Sequence, residues 1–182
     1  YQLVMPDFYI SDDITRSNNG LKKWRFEDLP ILPSEWKLEE SEKCKDQIKV
    51  IKGLLKNAQD VVAAGDPDRE GQLLVDELLE ELKYSGKVLR YWSNAIDKKS
   101  VERALNDLKD NADYVGLRDS AKGRSRADWL VGMNITRALT LANHGLITVG
   151  RVQTPTVKLV YDRDQKIKNF KPIDYFNLLT TF

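Results

Sequence analysis

The sequence predicts an α/β fold: a partial, Rossmann-like parallel sheet followed by a mainly α-helical unit. Three observations carry this. Apolar residues recur at three- and four-residue spacing over residues 41–58 and again over 69–83, as on an amphipathic helix. Short β-branched or apolar runs follow each, at 60–65 and 87–92. Helix, strand, helix, strand with short joins implies parallel strands linked by crossovers. Beyond Asn111-Ala112 the pattern turns helical almost to the end.

Taken in order, residues 1–35 show little periodicity, and Asp12-Asp13 and Ser17-Asn18-Asn19-Gly20 read as loop. Trp24, Phe26, Leu29, Ile31, Leu32 and Trp36, with Pro30 and Pro33, predict an extended segment laid across a core. The first helix turns Ile48, Ile51, Leu54, Leu55 and Ala58 inward, and the second Leu73, Leu74, Leu78 and Leu82, ending at Ser85-Gly86. After a turn at 93–97, Asp97 is placed to cap a helix reaching Leu108, with Val101, Ala104, Leu105 and Leu108 inward. A long helix is expected over 113–143, carrying Val115, Leu117, Ala121, Leu130, Met133, Ile135, Leu139 and Leu141. Gly145 and Gly150 mark a loop; a further helix over 152–168 presents Val157, Leu159, Val160 and Ile167. Residues 174–182 are β-rich. The expected division is an α/β unit over 1–93, a helical unit over 94–170 and the start of a β-rich unit over 171–182.

A chain of 182 residues that is 41% hydrophobic can bury one sizeable core or two small ones. The single cysteine, Cys44, excludes an internal disulfide framework and a Cys-rich zinc site. No apolar run approaches bilayer length, and no signal peptide is visible at the start; a reducing, cytoplasmic setting is expected. Net charge is +1, but it is unevenly spread: residues 1–80 hold 11 Lys+Arg against 17 Asp+Glu, and 81–182 hold 18 against 11. An acidic half joined to a basic half suits a phosphodiester polymer. His144, the only histidine, falls at an expected helix end and takes no catalytic role.

The chemistry concentrates where the first strand ends. In Gly65-Asp66-Pro67-Asp68-Arg69-Glu70-Gly71-Gln72, three carboxylates fall at alternate positions just before a helix. Alternate residues of an extended segment point the same way, so Asp66, Asp68 and Glu70 are expected to converge. Three like charges repel unless a cation lies between them, and a hard divalent ion such as Mg²⁺ takes such oxygen ligands. Pro67 stiffens the link. A strand-to-helix junction is also where open α/β sheets hold ligands. The plainer reading is a helix start whose acids complement the dipole.

A second group is basic. Residues 118–171 hold eleven Lys+Arg against four Asp+Glu. Arg124 and Asp128 stand four apart and are placed to pair on one helix face; Arg126, Trp129 and Arg137 follow on the same helix. Arginine suits phosphate and tryptophan suits an unpaired base, although Trp129 between Ala127-Asp128 and Leu130 also reads as core. Thr148-Val149-Gly150-Arg151-Val152-Gln153 puts free N–H groups at a helix start, a place for a phosphate. Ordinary helix capping is the competing reading there.

Three segments together carry a resemblance: Gly65–Leu74, Arg124–Gly132 with Thr136-Arg137, and Val149–Pro155. In order and spacing they resemble the Toprim-bearing type IA DNA topoisomerases, closest to the bacterial topoisomerase III branch, over about residues 24–170. The resemblance implies a Toprim sheet, then a helical DNA-binding domain. It implies Mg²⁺ held by Asp66 and Asp68, with Glu70 as a further ligand and Arg69 and Glu70 in the catalytic group. Contacts to single-stranded DNA would come from Arg124, Asp128, Trp129, Arg137 and from Thr148, Val149, Gly150, Arg151, Val152 and Gln153.

Such enzymes cut one strand through a 5′-phosphotyrosyl link, in a bacterial, nucleoid-associated setting. Their tyrosine stands in a Tyr-Pro-Arg-Thr-like segment, a context that none of the seven tyrosines here has. Their upstream strand, ending in a glutamate and a lysine, is not matched either. The remainder of the same polypeptide is therefore an expected partner, and these residues alone are expected to be inactive. A Toprim nuclease or primase-like enzyme, or a non-catalytic single-stranded DNA module, are the other two readings.

Overall fold

The computed structural model describes residues 1–16 and 20–181; Ser17, Asn18 and Asn19, read above as loop, lie outside the described residues, as does Phe182. The chain opens with β1 (Gln2–Leu3), which pairs antiparallel with β2 (Leu38–Glu39). α1 (Lys45–Leu55) leads into β3 (Asp60–Ala63), then α2 (Arg69–Glu81) and β4 (Lys87–Arg90). α3 (Lys98–Asn106) is followed by β5 (Lys109–Asp110), α4 (Val115–Asn143) and α5 (Gln153–Lys168).

β3 and β4 run parallel as the crossover pattern requires, in register from Asp60↔Lys87 to Ala63↔Arg90. β5 adds antiparallel to β4, Leu89 opposite Asp110, so the sheet is mixed, in the order β3-β4-β5. Two residues are too few for a period, so β5 left no mark in the sequence pattern. Asp97 caps α3 as its type and place require, its carboxylate accepting from Ser100 N at 3.1 Å. α4 ends at Asn143, with His144 in the left-handed region at φ 52°.

α2 lies along α4, and the face it buries is not the leucine stripe that its spacing suggested. Gly71, Gln72, Asp76 and Leu79 are buried, while Leu74 is 69% exposed. Polar residues are tolerated there because most of their groups pair with one another: Gln72 Nε2 donates to Asp76 at 2.9 Å and to Asn111 at 2.8 Å, and Asn111 Nδ2 donates to Asp76 at 2.7 Å, while Gln72 Oε1 is left without a partner among the described residues. This network sews α2 to the start of the helical region. Arg118 and Lys122 of α4 add ion pairs to Glu80.

Described segments of the first forty residues pack on α4. The side chain of Asn134 acts as a strand partner to Ile31, accepting from its N–H at 2.6 Å and donating to its carbonyl at 3.1 Å. Trp129 is 6% exposed, its indole N–H donating to Val4 O at 3.0 Å and its ring meeting Tyr9 and Trp36 edge-on. Arg137 is buried as well, paired with Asp7 at 2.7 Å and lying over Trp24. α1 buries only Ile48, leaving Leu54 68% exposed, and α5 buries nothing. The β-rich stretch expected over 174–182 pairs with no strand among the described residues.

The acidic turn and the adjoining arginine surface

β3 delivers the chain to the acidic turn, and the turn is narrow because two glycines let backbone meet backbone. A Cβ on Gly71 would strike the main chain of Asp66, and one on Gly65 would lie 2.5 Å from Gly71 O. The first turn of α2 therefore packs directly on the segment leaving the sheet. Asp68 is the N-cap, its Oδ1 accepting from Gly71 N at 2.7 Å, which satisfies one of the open donors of the helix start.

Asp66 and Asp68 are both exposed at this turn. Among the described residues no side chain engages the Asp66 carboxylate, and Asp68 keeps its second oxygen. Two hard-oxygen ligands at a strand tip fit a hard divalent cation, which is commonly held by one or two carboxylates and completed by water or phosphate. Glu70 does not join them. It lies on the helix side, taken by Arg124 Nη1 at 2.5 Å and by Arg69 Nε at 3.2 Å. Among the described residues no group of three acidic, histidine or cysteine side chains is arranged to hold an ion. The alternation that was expected to bring three carboxylates together ends at Asp68, because Arg69 and Glu70 are already helical and no longer follow a two-residue period.

The arginines pair differently from the sequence expectation. Arg124 does not meet Asp128 one turn along; it crosses to Glu70 on α2. Asp128 instead accepts from Arg151 Nε at 2.6 Å, across to the loop before α5. The Arg151 guanidinium holds the Asp128 carboxyl below its usual range, with Arg124 adding to the effect, and Asp128 in turn raises Arg151. Charges thus alternate along one exposed surface: Arg69, Glu70, Arg124, Asp128, Arg151.

The loop before α5 is fastened to α4 by two threonines. Val149 N donates to Thr136 Oγ1 at 2.9 Å, and Ile147 N donates to Thr140 Oγ1 at 3.0 Å. Gly150 N donates to Thr154 Oγ1 at 3.1 Å. The N–H groups of Val149 and Gly150, expected to be free for a phosphate, are therefore satisfied within the chain. Thr148, Arg151, Val152 and Gln153 stay exposed. Trp129 and Arg137, expected at the nucleic-acid surface, are both buried in the core beneath the N-terminal segment.

Sequence reasoning overlooked Arg90. Its side chain, 0% exposed, stands behind the acidic turn. Nη1 donates to Ala63 O at 2.9 Å, Gly65 O at 2.8 Å and Tyr91 O at 3.0 Å, and Nη2 donates to Asp66 O at 2.5 Å. The signal was present in its position: an arginine closing a parallel strand whose middle residues, Val88 and Leu89, are apolar, beside the tip that carries the acids.

Two families match this chain by their models: the Toprim domain over residues 14–114 and DNA topoisomerase over 112–182. Among curated relatives, the DNA topoisomerase 3 of Vibrio cholerae is 45% identical over 184 residues, 96% of this chain and 27% of the relative. That of Salmonella typhimurium is 44% identical, covering 86% of this chain and 25% of the relative. That of Staphylococcus aureus is 40% identical, covering 90% and 23%. The chain spans about a quarter of the length of these relatives.

Proposed function

The chain belongs to the Toprim family and, through its C-terminal part, to the type IA DNA topoisomerases, and on that premise we propose that it forms the metal-holding, strand-gripping base of a topoisomerase III-like enzyme. The observation that supports this most is adjacency: an exposed pair of aspartates at a sheet tip lies beside a surface that presents Arg124 and Arg151.

In this reading Asp66 and Asp68 hold Mg²⁺, which when bound neutralises charge on the scissile phosphate and on the departing 3′ oxygen. The other work falls to side chains. The Asp68 cap and the Gly65–Gly71 contact keep the turn rigid before any ion arrives. Arg124 and Arg151 carry planar guanidinium groups suited to phosphate oxygens, and a single strand lying on them runs past the turn. Glu70 and Asp128 hold those arginines in place until phosphates replace them. The nucleophile is a tyrosine from the remainder of the polypeptide, since none of the seven here has the family's context; these residues alone do not relax DNA. Among the described residues no helix is long and apolar enough to cross a membrane; the proposed setting is the bacterial nucleoid.

The test is a chimaera in which this segment replaces the matching quarter of a bacterial topoisomerase III. It should relax negatively supercoiled plasmid with Mg²⁺. The Asp66→Asn plus Asp68→Asn chimaera should lose at least a hundredfold, while still binding single strands. Activity undiminished in the double variant would remove the acidic turn from the chemistry. Mg²⁺-dependent nicking by the chain alone, with no covalent adduct, would favour a Toprim nuclease instead.

A further inference from the structure

We propose that Arg90 is a positioning residue for the divalent-ion site: its buried guanidinium sets the acidic turn in the conformation that presents Asp66 and Asp68. The inference rests on the reading of those aspartates as ligands.

The geometry is that of a clamp. One planar fork reaches the carbonyls of Ala63, Gly65 and Asp66, three points along the chain as it leaves β3 and enters the turn. Ala63 O also accepts from Tyr91 N at 3.0 Å and Asp66 O from Asp68 N at 2.8 Å, so the guanidinium supplies a second bond to each and is the donor to Gly65 O. A carbonyl has two lone pairs and a buried one without a partner is costly; a single multidentate donor ties the three together. Lysine offers a point charge with mobile donors and does not reproduce the fork.

Arg90 is itself held from both sides. It ends β4, in register opposite Ala63, and its guanidinium lies 5.0 Å from the centre of the Trp92 ring, which stacks on Tyr114. The bonded network of Gln72, Asp76 and Asn111 joins α2 to the turn that holds Tyr114. The arginine is thus fixed by the sheet on one side and by an aromatic stack on the other. Burial draws its pKa down, opposed by Tyr114 and by the carboxylates of Asp76, Asp68 and Asp66; the positive charge stands within the field of the very groups that must sit close together. Before an ion arrives, that charge offsets their mutual repulsion. Its hydrogen bonds go to backbone carbonyls, so the guanidinium itself takes up neither carboxylate.

Mn²⁺ binding by the chain, followed from the free-ion electron paramagnetic resonance signal, tests this without reference to DNA cleavage. Arg90→Lys should bind Mn²⁺ at least tenfold more weakly while keeping the parent's far-ultraviolet circular dichroism. Trp92→Ala removes the ring against the guanidinium but none of its hydrogen bonds, and should weaken binding at least threefold. Ile48→Ala, buried on α1, should lower Tm yet bind Mn²⁺ like the parent.

Parent-like affinity in a folded Arg90→Lys overturns the proposal. If that variant does not fold, Trp92→Ala decides, and parent-like affinity there overturns it. A loss of Mn²⁺ affinity in Ile48→Ala as large as that in Trp92→Ala would imply general softening and overturn it equally. The Asp66→Asn plus Asp68→Asn variant separates the two layers. If it retains Mn²⁺, the ligand assignment fails; if it loses Mn²⁺ while Arg90→Lys and Trp92→Ala do not, only the clamp fails.

Discussion

Asp128 and Arg151 form a contact whose strength can be read by titration. The arginine holds the Asp128 carboxyl below the ordinary carboxylate range. The sign follows: the pair is complete at neutral pH, and its contribution is lost as pH falls through the lowered folded value. The Asp128 carboxyl carbon, followed by nuclear magnetic resonance, should therefore titrate below that of an unpaired aspartate. Arg151→Ala should raise it. An unchanged midpoint in that variant would contradict the pairing. At this scale the sequence told residue types better than partners. Arg124 and Asp128 invited an intrahelical pair, but each found a partner on another element that no local spacing encodes. Trp129 and Arg137 resembled nucleic-acid contacts because their chemistry suits both roles; only the packing of the N-terminal segment on α4 decides for the core.

At the scale of the element, the junction between β3 and α2 does two jobs with the same residue. Asp68 caps the helix and, as proposed, binds the ion, so its replacements must be chosen with care. Asp68→Ala should cost about 1 kcal/mol through the lost cap, whereas asparagine caps nearly as well as aspartate. Asp68→Asn should thus keep Tm near the parent's while losing ion affinity; equal Tm losses in both variants would show that the cap is not what the aspartate supplies. Gly71→Ala, which forces a methyl group against the Asp66 backbone, should cost about 1–3 kcal/mol as overpacking does. Existence and order of α1, β3, α2, β4, α3, α4 and α5 were legible because each carried a period or a cap. β5 was not, since two residues have no period. The buried face of α2 was misread because Gln72 and Asp76 look like solvent residues until Asn111, nearly forty positions on, completes their network.

At the scale of the molecule, the uneven charge of the sequence has a structural counterpart. The acidic turn projects from the sheet, and the arginines of α4 and of the loop before α5 stand beside it, joined to it through Glu70. α2 against α4, the Gln72–Asp76–Asn111 network and the packing of the N-terminal segment on α4 bind the α/β and helical parts together. The helical part therefore presents its arginines at a fixed place relative to Asp66 and Asp68. The three-carboxylate convergence expected from sequence is not formed: Glu70 is diverted to Arg124 and Arg69, leaving Asp66 and Asp68 exposed at the turn.

The central claim is that those two aspartates take a divalent ion, and paramagnetic broadening of the backbone amide spectrum by substoichiometric Mn²⁺ addresses it most directly. Resonances of residues 65–71 should broaden first, and the Asp66→Asn plus Asp68→Asn variant should show no broadening there. Broadening centred elsewhere, or undiminished at 65–71 in that variant, would contradict the claim.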